Sequence, residues 1–351
     1  MLRDPGKRPS DLLELAKVSA RMGADPSLVQ YAGGNTSVKA GDVMWIKASG
    51  TLLADALRED LFVPVDLPAL NAAISSAVPE ADTPATFLMG GATMRPSIET
   101  SLHAVFPQRI VLHVHCVETI AFAVRPDCEV AIADRLAGLD YAVVPYMKPG
   151  ATLADAVAQS RRAQTDVVIL GNHGLIVAGD TVEDARRLIT EVANRLAVPP
   201  HPLRADIAAL MKRAEGSAYE PAQDAPSHQS ALTEWRVEAA TSGSLYPDHV
   251  IFCGIAAETL RPGETPAEAD ARILATGRPL PPFLLVPGLG VLTRRDASEG
   301  ALAMVRCLGD VLSRIPDWTA LNTLTLDENA ELLDWDAEAY RKTLQRGAAG
   351  G

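Results

Sequence analysis

The sequence predicts an α/β fold, and three observations predict it. Short apolar runs of strand length, such as Val43–Lys47, Ile110–Val114 and Val167–Leu170, alternate with longer segments of helical spacing, and that alternation builds layered α/β domains. Side chains able to cap helices open several of those longer segments: Ser10, Thr152-Leu-Ala-Asp155 and Thr181-Val-Glu-Asp184. Hydrophobic residues make up 48% and charged residues 22% of the 351 positions, enough apolar side chain for a sizeable core.

Taken in order, the spacing predicts a helix from Ser10 to Met22 and then a glycine-rich stretch, Tyr31–Ser37. A strand follows over Val43–Lys47, ending in Ala48-Ser-Gly50. Helices are expected over Leu67–Ala77 and, opened by Pro96, to Val105. Ile110–Val114 and Tyr141–Val144 read as strands, Thr152–Arg162 as a helix, and Val167–Leu170 with Gly174–Ala178 as two strands around a turn. A long helix closes this half at Leu196. Val198–Ser230 carries Pro-Pro, His-Pro and scattered polar residues around a short helix, Ala205–Ala214. The expected division is therefore a first domain over 1–200, a linker over 201–235 and a smaller C-terminal α/β part over 236–351. That part should hold strands at Val250–Phe252, Phe283–Val286 and Val291, and helices from Pro266, over Ser298–Ser313, Asp327–Leu333 and Asp336–Gln345.

The halves share a degenerate pattern. Phe106–His115 matches Tyr246–Ile255, and Gly174–Asp180 with its helix matches Gly290–Asp296 with its helix. On that match His113, His115 and His173 fall on Cys253, Ile255 and Leu289, so the second copy would lack all three histidines.

The net charge of −12 argues against nucleic acid or an anionic membrane as the main partner. No apolar run approaches the roughly 18 residues of a membrane span, and Met1–Ser10 lacks the apolar core of a secretory signal. Cys116, Cys128, Cys253 and Cys307 fall at no metal-like spacing and read as thiols of a reducing compartment, the cytoplasm.

The chemistry sits in the histidines. His113 and His115 lie two apart on a strand, so both face one side. His173, in Gly171-Asn-His-Gly174, is aimed by a tight turn between two apolar strands. Three imidazoles suit zinc or another divalent ion and leave a coordination position open, the pattern of a catalytic metal. Glu99, at a helix start, is a candidate general base, best served by a pKa raised in a dry pocket. Gly33-Gly34-Asn35-Thr36-Ser37 offers backbone N–H groups, an amide and hydroxyls suited to an oxyanion or phosphate. Lys47, Ser49, Gly50 and Ser97 add a cation, hydroxyls and another flexible backbone N–H.

The ordered set Gly-Gly-Asn-Thr-Ser (33–37), Lys-Ala-Ser-Gly (47–50), Arg-Pro-Ser-Ile-Glu (95–99), His-Val-His (113–115) and Gly-Asn-His-Gly (171–174) resembles the class II aldolase/adducin family over residues 10 to 198. The C-terminal part resembles, more loosely, the extension in the branch related to bifunctional rhamnulose-phosphate aldolase/dehydrogenases. The resemblance implies a three-layer α/β/α sandwich around a mainly antiparallel sheet. It implies metal ligands at His113, His115 and His173, a catalytic Glu99, and phosphate loops with Gly34, Asn35, Ser49, Gly50 and Ser97. The implied reaction is metal-dependent cleavage of a ketose phosphate through an enediolate, in a cytoplasmic homo-oligomer. Relatives with the same site act as epimerases, dehydratases or decarboxylases on sugar-acid phosphates, and adducin-like members are assembly modules. Two departures stand out. The family's aldolases often carry a second serine where this chain has Ile98. They also use a tyrosine after the His-x-His pair, and Pro126–Asp140 holds none, with Tyr141 and Tyr146 following.

Overall fold

A computed structural model describes residues 4–333. The helix expected at Asp336–Gln345 lies outside them. The described chain forms two compact units, one of 4–119 and 129–196, the other of Ile120–Cys128 and Ala197–Leu333.

The elements up to residue 196, in order, are α1 (Leu12–Gly23), β1 (Asn35–Ala40), β2 (Val43–Lys47), β3 (Phe62–Asp66), α2 (Leu67–Ser75), α3 (Thr100–Ala104), β4 (Ile110–Val114), α4 (Val117–Ala123), α5 (Cys128–Ala133), β5 (Tyr141–Val144), α6 (Ala151–Ser160), β6 (Val167–Leu170), β7 (Gly174–Gly179) and α7 (Val182–Leu196), all in the first unit except Ile120–Ala123 of α4 and Cys128 of α5. The seven strands make one sheet in the order β3-β2-β1-β4-β7-β6-β5. Every pair is antiparallel except β5 with β6. Val111, Val168, Leu170, Ile176 and Ala178 on one face pack with Leu102 and Phe106 around α3 and with Leu153 and Val157 of α6. On the other face α7 buries Val182, Ala185, Leu188, Ile189, Val192 and Leu196, and α1 buries Leu15 and Val18. The result is a three-layer α/β/α sandwich.

Two expected elements differ here. The glycine-rich stretch ends in a strand, because β1 pairs with both β2 and β4 and its polar side chains are buried. The helix expected from Pro96 begins only at Thr100, because Pro96 bridges to Ala48 in extended backbone.

The second unit contains α8 (Ile207–Ala214), β8 (Tyr219–Pro221), α9 (Ala225–His228), α10 (Glu234–Thr241), α11 (Pro247–Cys253), β9 (Glu258–Thr259), α12 (Pro266–Leu274), β10 (Phe283–Val286), β11 (Gly290–Arg294), α13 (Glu299–Leu312) and α14 (Leu326–Leu333). Its four-stranded sheet runs β8-β11-β10-β9. The span expected as a linker, 201–235, is instead structural: β8 pairs with β11, and Leu210, Ala214 and Tyr219 join the core with Leu284, Val286 and Leu292. Two of its prolines lie inside elements, Pro221 paired with Leu292 in β8 and Pro226 in the first turn of α9. The strand expected at Val250–Phe252 is helical α11, with Pro247 in the first turn and Gly254 at φ 87° ending it. The match of Phe106–His115 to Tyr246–Ile255 therefore equates a strand with a helix, whereas β11 followed by α13 does parallel β7 followed by α7.

Candidate metal centre

Strand alternation puts His113 on the same face as Val111, the face covered by α3, and His115 continues that side just past the end of β4. The β6–β7 hairpin supplies the third ring. Leu170 pairs with Gly174, leaving Gly171-Asn172-His173 as the turn. Asn172 takes the left-handed conformation (φ 51°), which asparagine tolerates better than most residues. The His173 N–H donates to the Leu170 carbonyl at 3.1 Å. Gly174 lets this turn approach β4: a Cβ there would lie 2.5 Å from the Val114 carbonyl oxygen and 3.2 Å from His115 Cα.

The three rings converge. Centroids are 5.0 Å apart for His113–His115, 4.9 Å for His113–His173 and 5.1 Å for His115–His173. One ligand nitrogen from each lies within 4.8 Å of the others, and all three residues are buried. Among the described residues this is the group of His, Cys, Asp or Glu side chains placed to hold a metal ion. His113 Nδ1 sits 3.0 Å from the Leu175 carbonyl, so a neutral ring donates there and carries its lone pair on Nε2. Three buried imidazoles are a donor set that fits zinc and leaves a position for substrate.

Glu99 closes the site from the start of α3. Its Oε1 is 3.3 Å from His173 Nε2 and its Oε2 is 3.5 Å from His113 Nε2. The Asn35 amide donates to Oε2 at 2.7 Å and to Ser97 Oγ at 3.1 Å. Register explains this reach, since Asn35 sits directly opposite His113 across the β1–β4 pair. The expectation of a raised Glu99 pKa is not met. Burial does push the carboxyl up, but with the rings protonated the fields of His113, His173 and His115, together with the Asn35 hydrogen bond, outweigh it and hold the group at about 2.

The remaining predicted residues frame the site. Gly34 (φ 64°) has no room for a side chain, because a Cβ would lie 2.8 Å from the His113 carbonyl oxygen. Lys47 is buried and donates to the carbonyls of Ala32 and Gly34 at 3.0 and 3.2 Å, bracing the glycine loop from beneath. The 47–50 and 95–99 segments are strapped together: Ser97 N–H donates to Lys47 O at 3.0 Å and Ser49 N–H to Arg95 O at 2.8 Å. Ser97 Oγ also accepts the Glu99 N–H at 3.2 Å. Ser49 and Gly50 join the site only through this backbone, with no hydrogen bond to the histidines. One residue escaped the sequence reading, His103, and Ser37, expected as an oxyanion-binding hydroxyl of the glycine-rich loop, instead lies 2.8 Å from the His103 ring. His103 lies four residues after Glu99 on a helix, a spacing that puts both on one side, and that was the available signal.

Residues 13–198 match the family described as Class II Aldolase and Adducin N-terminal domain. An uncharacterized oxidoreductase of Bacillus subtilis, YuxG, is 30% identical over 190 residues, which cover 50% of this chain and 27% of that protein. The chain thus spans about a quarter of that relative's length. The L-fuculose phosphate aldolase of Methanococcus maripaludis is 24% identical over 200 residues, covering 53% of this chain and 94% of that one. Among solved structures, the N-terminal class II aldolase domain of a conserved protein from Thermoplasma acidophilum aligns with 29% identity and a TM-score of 0.48, covering 54% of this chain and 93% of that chain. Through residues 13–198 the chain belongs to the class II aldolase and adducin N-terminal domain family.

Proposed function

We propose that the protein is a divalent-metal-dependent aldolase that cleaves a ketose phosphate, with zinc held by His113, His115 and His173. One observation carries the reading: three buried imidazoles converge on one point, and a buried carboxylate, Glu99, lies 3.3 and 3.5 Å from two of them. An anchored carboxylate beside an ion site is the acid–base group that chemistry at a polarised carbonyl needs. The YuxG and fuculose phosphate aldolase relatives support an enzyme of small-molecule carbon chemistry.

The ion, when bound, supplies Lewis-acid polarisation of the substrate carbonyl and its neighbouring hydroxyl. Glu99, ionised at rest, would take up the proton released by the substrate hydroxyl as the carbon–carbon bond breaks and deliver it to the carbon next to the carbonyl, and the addition would run the same transfer in reverse. Asn35 holds the carboxylate in place. Gly34, Ser49, Gly50 and Ser97 orient the phosphate, Asn35, expected among them, being committed to Glu99, Ser97 and His103, and Lys47 keeps their loop rigid by fixing its carbonyls. The reading includes a cytoplasmic homo-oligomer with no nucleic-acid or membrane partner. Four free, buried thiols support a reducing compartment, and no helix of the described residues is long and apolar enough to cross a membrane. Ile98 beside Ser97 favours a second reading, in which the same site epimerises, dehydrates or decarboxylates a sugar-acid phosphate.

The test is metal analysis joined to a screen of ketose 1-phosphates for cleavage. Activity should vanish with chelation and return with Zn²⁺, and His173→Ala should lose at least about 100-fold, the scale of a lost metal ligand's support. Full turnover by the metal-free protein would end the aldolase reading. One product of unchanged mass, or one that has lost water or CO₂, would select the second reading.

A further inference from the structure

We infer that Ser37, His103 and Asn35 form a hydrogen-bond relay of fixed polarity that ties down one oxygen of Glu99, Oε2, and leaves Oε1 as the oxygen that exchanges the proton. His103 is a positioning residue in this scheme. The inference rests on the proton-transfer role proposed for Glu99.

The polarity follows from one fixed end. An ionised carboxylate only accepts hydrogen bonds, so the group 2.7 Å from Glu99 Oε2 must be the Asn35 NH₂. That orientation turns Asn35 Oδ1 toward His103 Nε2, with which it is hydrogen-bonded. An amide oxygen also only accepts, so His103 Nε2 must carry the hydrogen. His103 is fully buried, and burial together with the field of His113 holds its pKa well below the usual histidine value. The ring is therefore neutral and its Nδ1 is an acceptor. Ser37 Oγ lies 2.8 Å from Nδ1, so the serine hydroxyl donates. Each link has one allowed direction, running Ser37 to His103 to Asn35 to Glu99.

The elements make this relay rigid. Asn35 and Ser37 are alternate residues of β1 and share the face beneath α3. Glu99 and His103 stand one helical turn apart above them. All four side chains are buried, so water does not compete for the bonds. Asn35 reinforces the hold by also donating to Ser97 Oγ, which accepts the Glu99 N–H. Glu99 Oε1 accepts no hydrogen bond and faces His173 Nε2, a ring of the three-histidine centre, at 3.3 Å. The oxygen that accepts the amide is the less basic one, so the proton goes to Oε1.

The experiment uses the zinc-loaded protein and three variants. His103→Phe removes both relay bonds, His103→Gln keeps a donor and an acceptor, and Ser37→Ala removes only the terminal hydroxyl. Two rates are read, cleavage of a ketose 1-phosphate and solvent deuterium exchange into dihydroxyacetone phosphate, with zinc content measured on each sample. His103→Phe should lower kcat and exchange by about 100-fold, the scale of lost acid–base catalysis, with KM within about 3-fold and zinc unchanged. His103→Gln should recover most of that loss. If His103→Phe does not fold, Ser37→Ala should show a smaller loss, about 10-fold, of the same kind. In the wild type, ¹⁵N NMR should show the His103 hydrogen on Nε2. Wild-type exchange in a folded, zinc-loaded His103→Phe, or a hydrogen on Nδ1, would overturn the relay. A wild type inactive in both rates would instead remove the aldolase reading, while the NMR tautomer would still decide the polarity.

Discussion

At the residue scale, the centre depends on two glycines as much as on its histidines. Gly174 lets the His173 turn lie against β4, and Gly34 does the same for the loop against the His113 carbonyl. Gly174→Ala would place a methyl 2.5 Å from the Val114 oxygen. Overpacking against backbone cannot be relieved by a side-chain rotation, so a loss of about 1–3 kcal/mol is expected, together with zinc affinity weakened at least about 10-fold. Chemical denaturation and competitive metal titration check the two effects, and a variant matching the wild type in both would show that β7 can move away from β4 at no cost. The histidines were legible in the sequence because a two-residue spacing on an apolar run and a turn flanked by glycines are local signals. Lys47 was legible as a cation, but its direction was not. Only the folded chain shows that its ammonium serves loop carbonyls. His103 was invisible for a related reason: a histidine in a helix acquires meaning from what lies under it, and Ser37 and Asn35 come from a strand more than sixty residues earlier.

Among elements, β1 is the most instructive. Asn35, Ser37 and Lys39 are polar, alternate and buried on one face, and each addresses the α3 segment: Asn35 meets Glu99 and His103, Ser37 meets His103, and Lys39 donates to the carbonyls of Phe106 and Gln108. A strand normally buries apolar side chains, so Asn-Thr-Ser-Val-Lys reads as loop from sequence alone. The strand β3 has no counterpart among the expected elements, and its Pro64 is accommodated because β3 is an edge of the sheet, where a missing N–H is tolerated. The reverse error occurred at α11, where Val-Ile-Phe suggested a strand although Pro247 and Gly254 bracket it as a helix. The β1 stripe also carries a pH signature. Burial, and next the nearby Arg161 charge, lower the Lys39 pKa from 10.5 to about 7. Between those values the unfolded chain holds a proton that the folded chain has released, so stability rises with pH, and below about 7 the cost of burying the cation is present in full. Relative to Lys39→Met, the wild type should gain up to about 1.4 kcal/mol per pH unit between pH 7 and 9. Urea unfolding at a series of pH values measures this, and a difference that stays flat would mean that Lys39 remains charged throughout.

For the whole molecule, the two units give metal removal a local signature. All three histidines lie in the unit of 4–119 and 129–196. An ion that binds only folded protein stabilises by about 2.7 kcal/mol at a hundred times its dissociation constant. Chelation should therefore speed hydrogen exchange in peptides from β4 and β7 by up to about 100-fold and leave those from β10 and β11 within a few-fold. Equal acceleration in all four strands, or none in any, would contradict an ion held where the three rings meet. The alternation of strands and helices made the α/β class legible, whereas strand order and direction were not, because pairing partners such as β1 and β4 are remote in sequence. That pairing has one more consequence. Asn35, His113 and Ile176 occupy a single row across β1, β4 and β7. If β4 slipped by one residue, Leu112 and Val114 would take the places of the imidazoles, and His113 and His115 would turn to the opposite side of the sheet. A chain paired out of step could not gather the three rings, so the ion would act during assembly as a proofreader of β4, rewarding the correct alignment and giving the shifted one no hold.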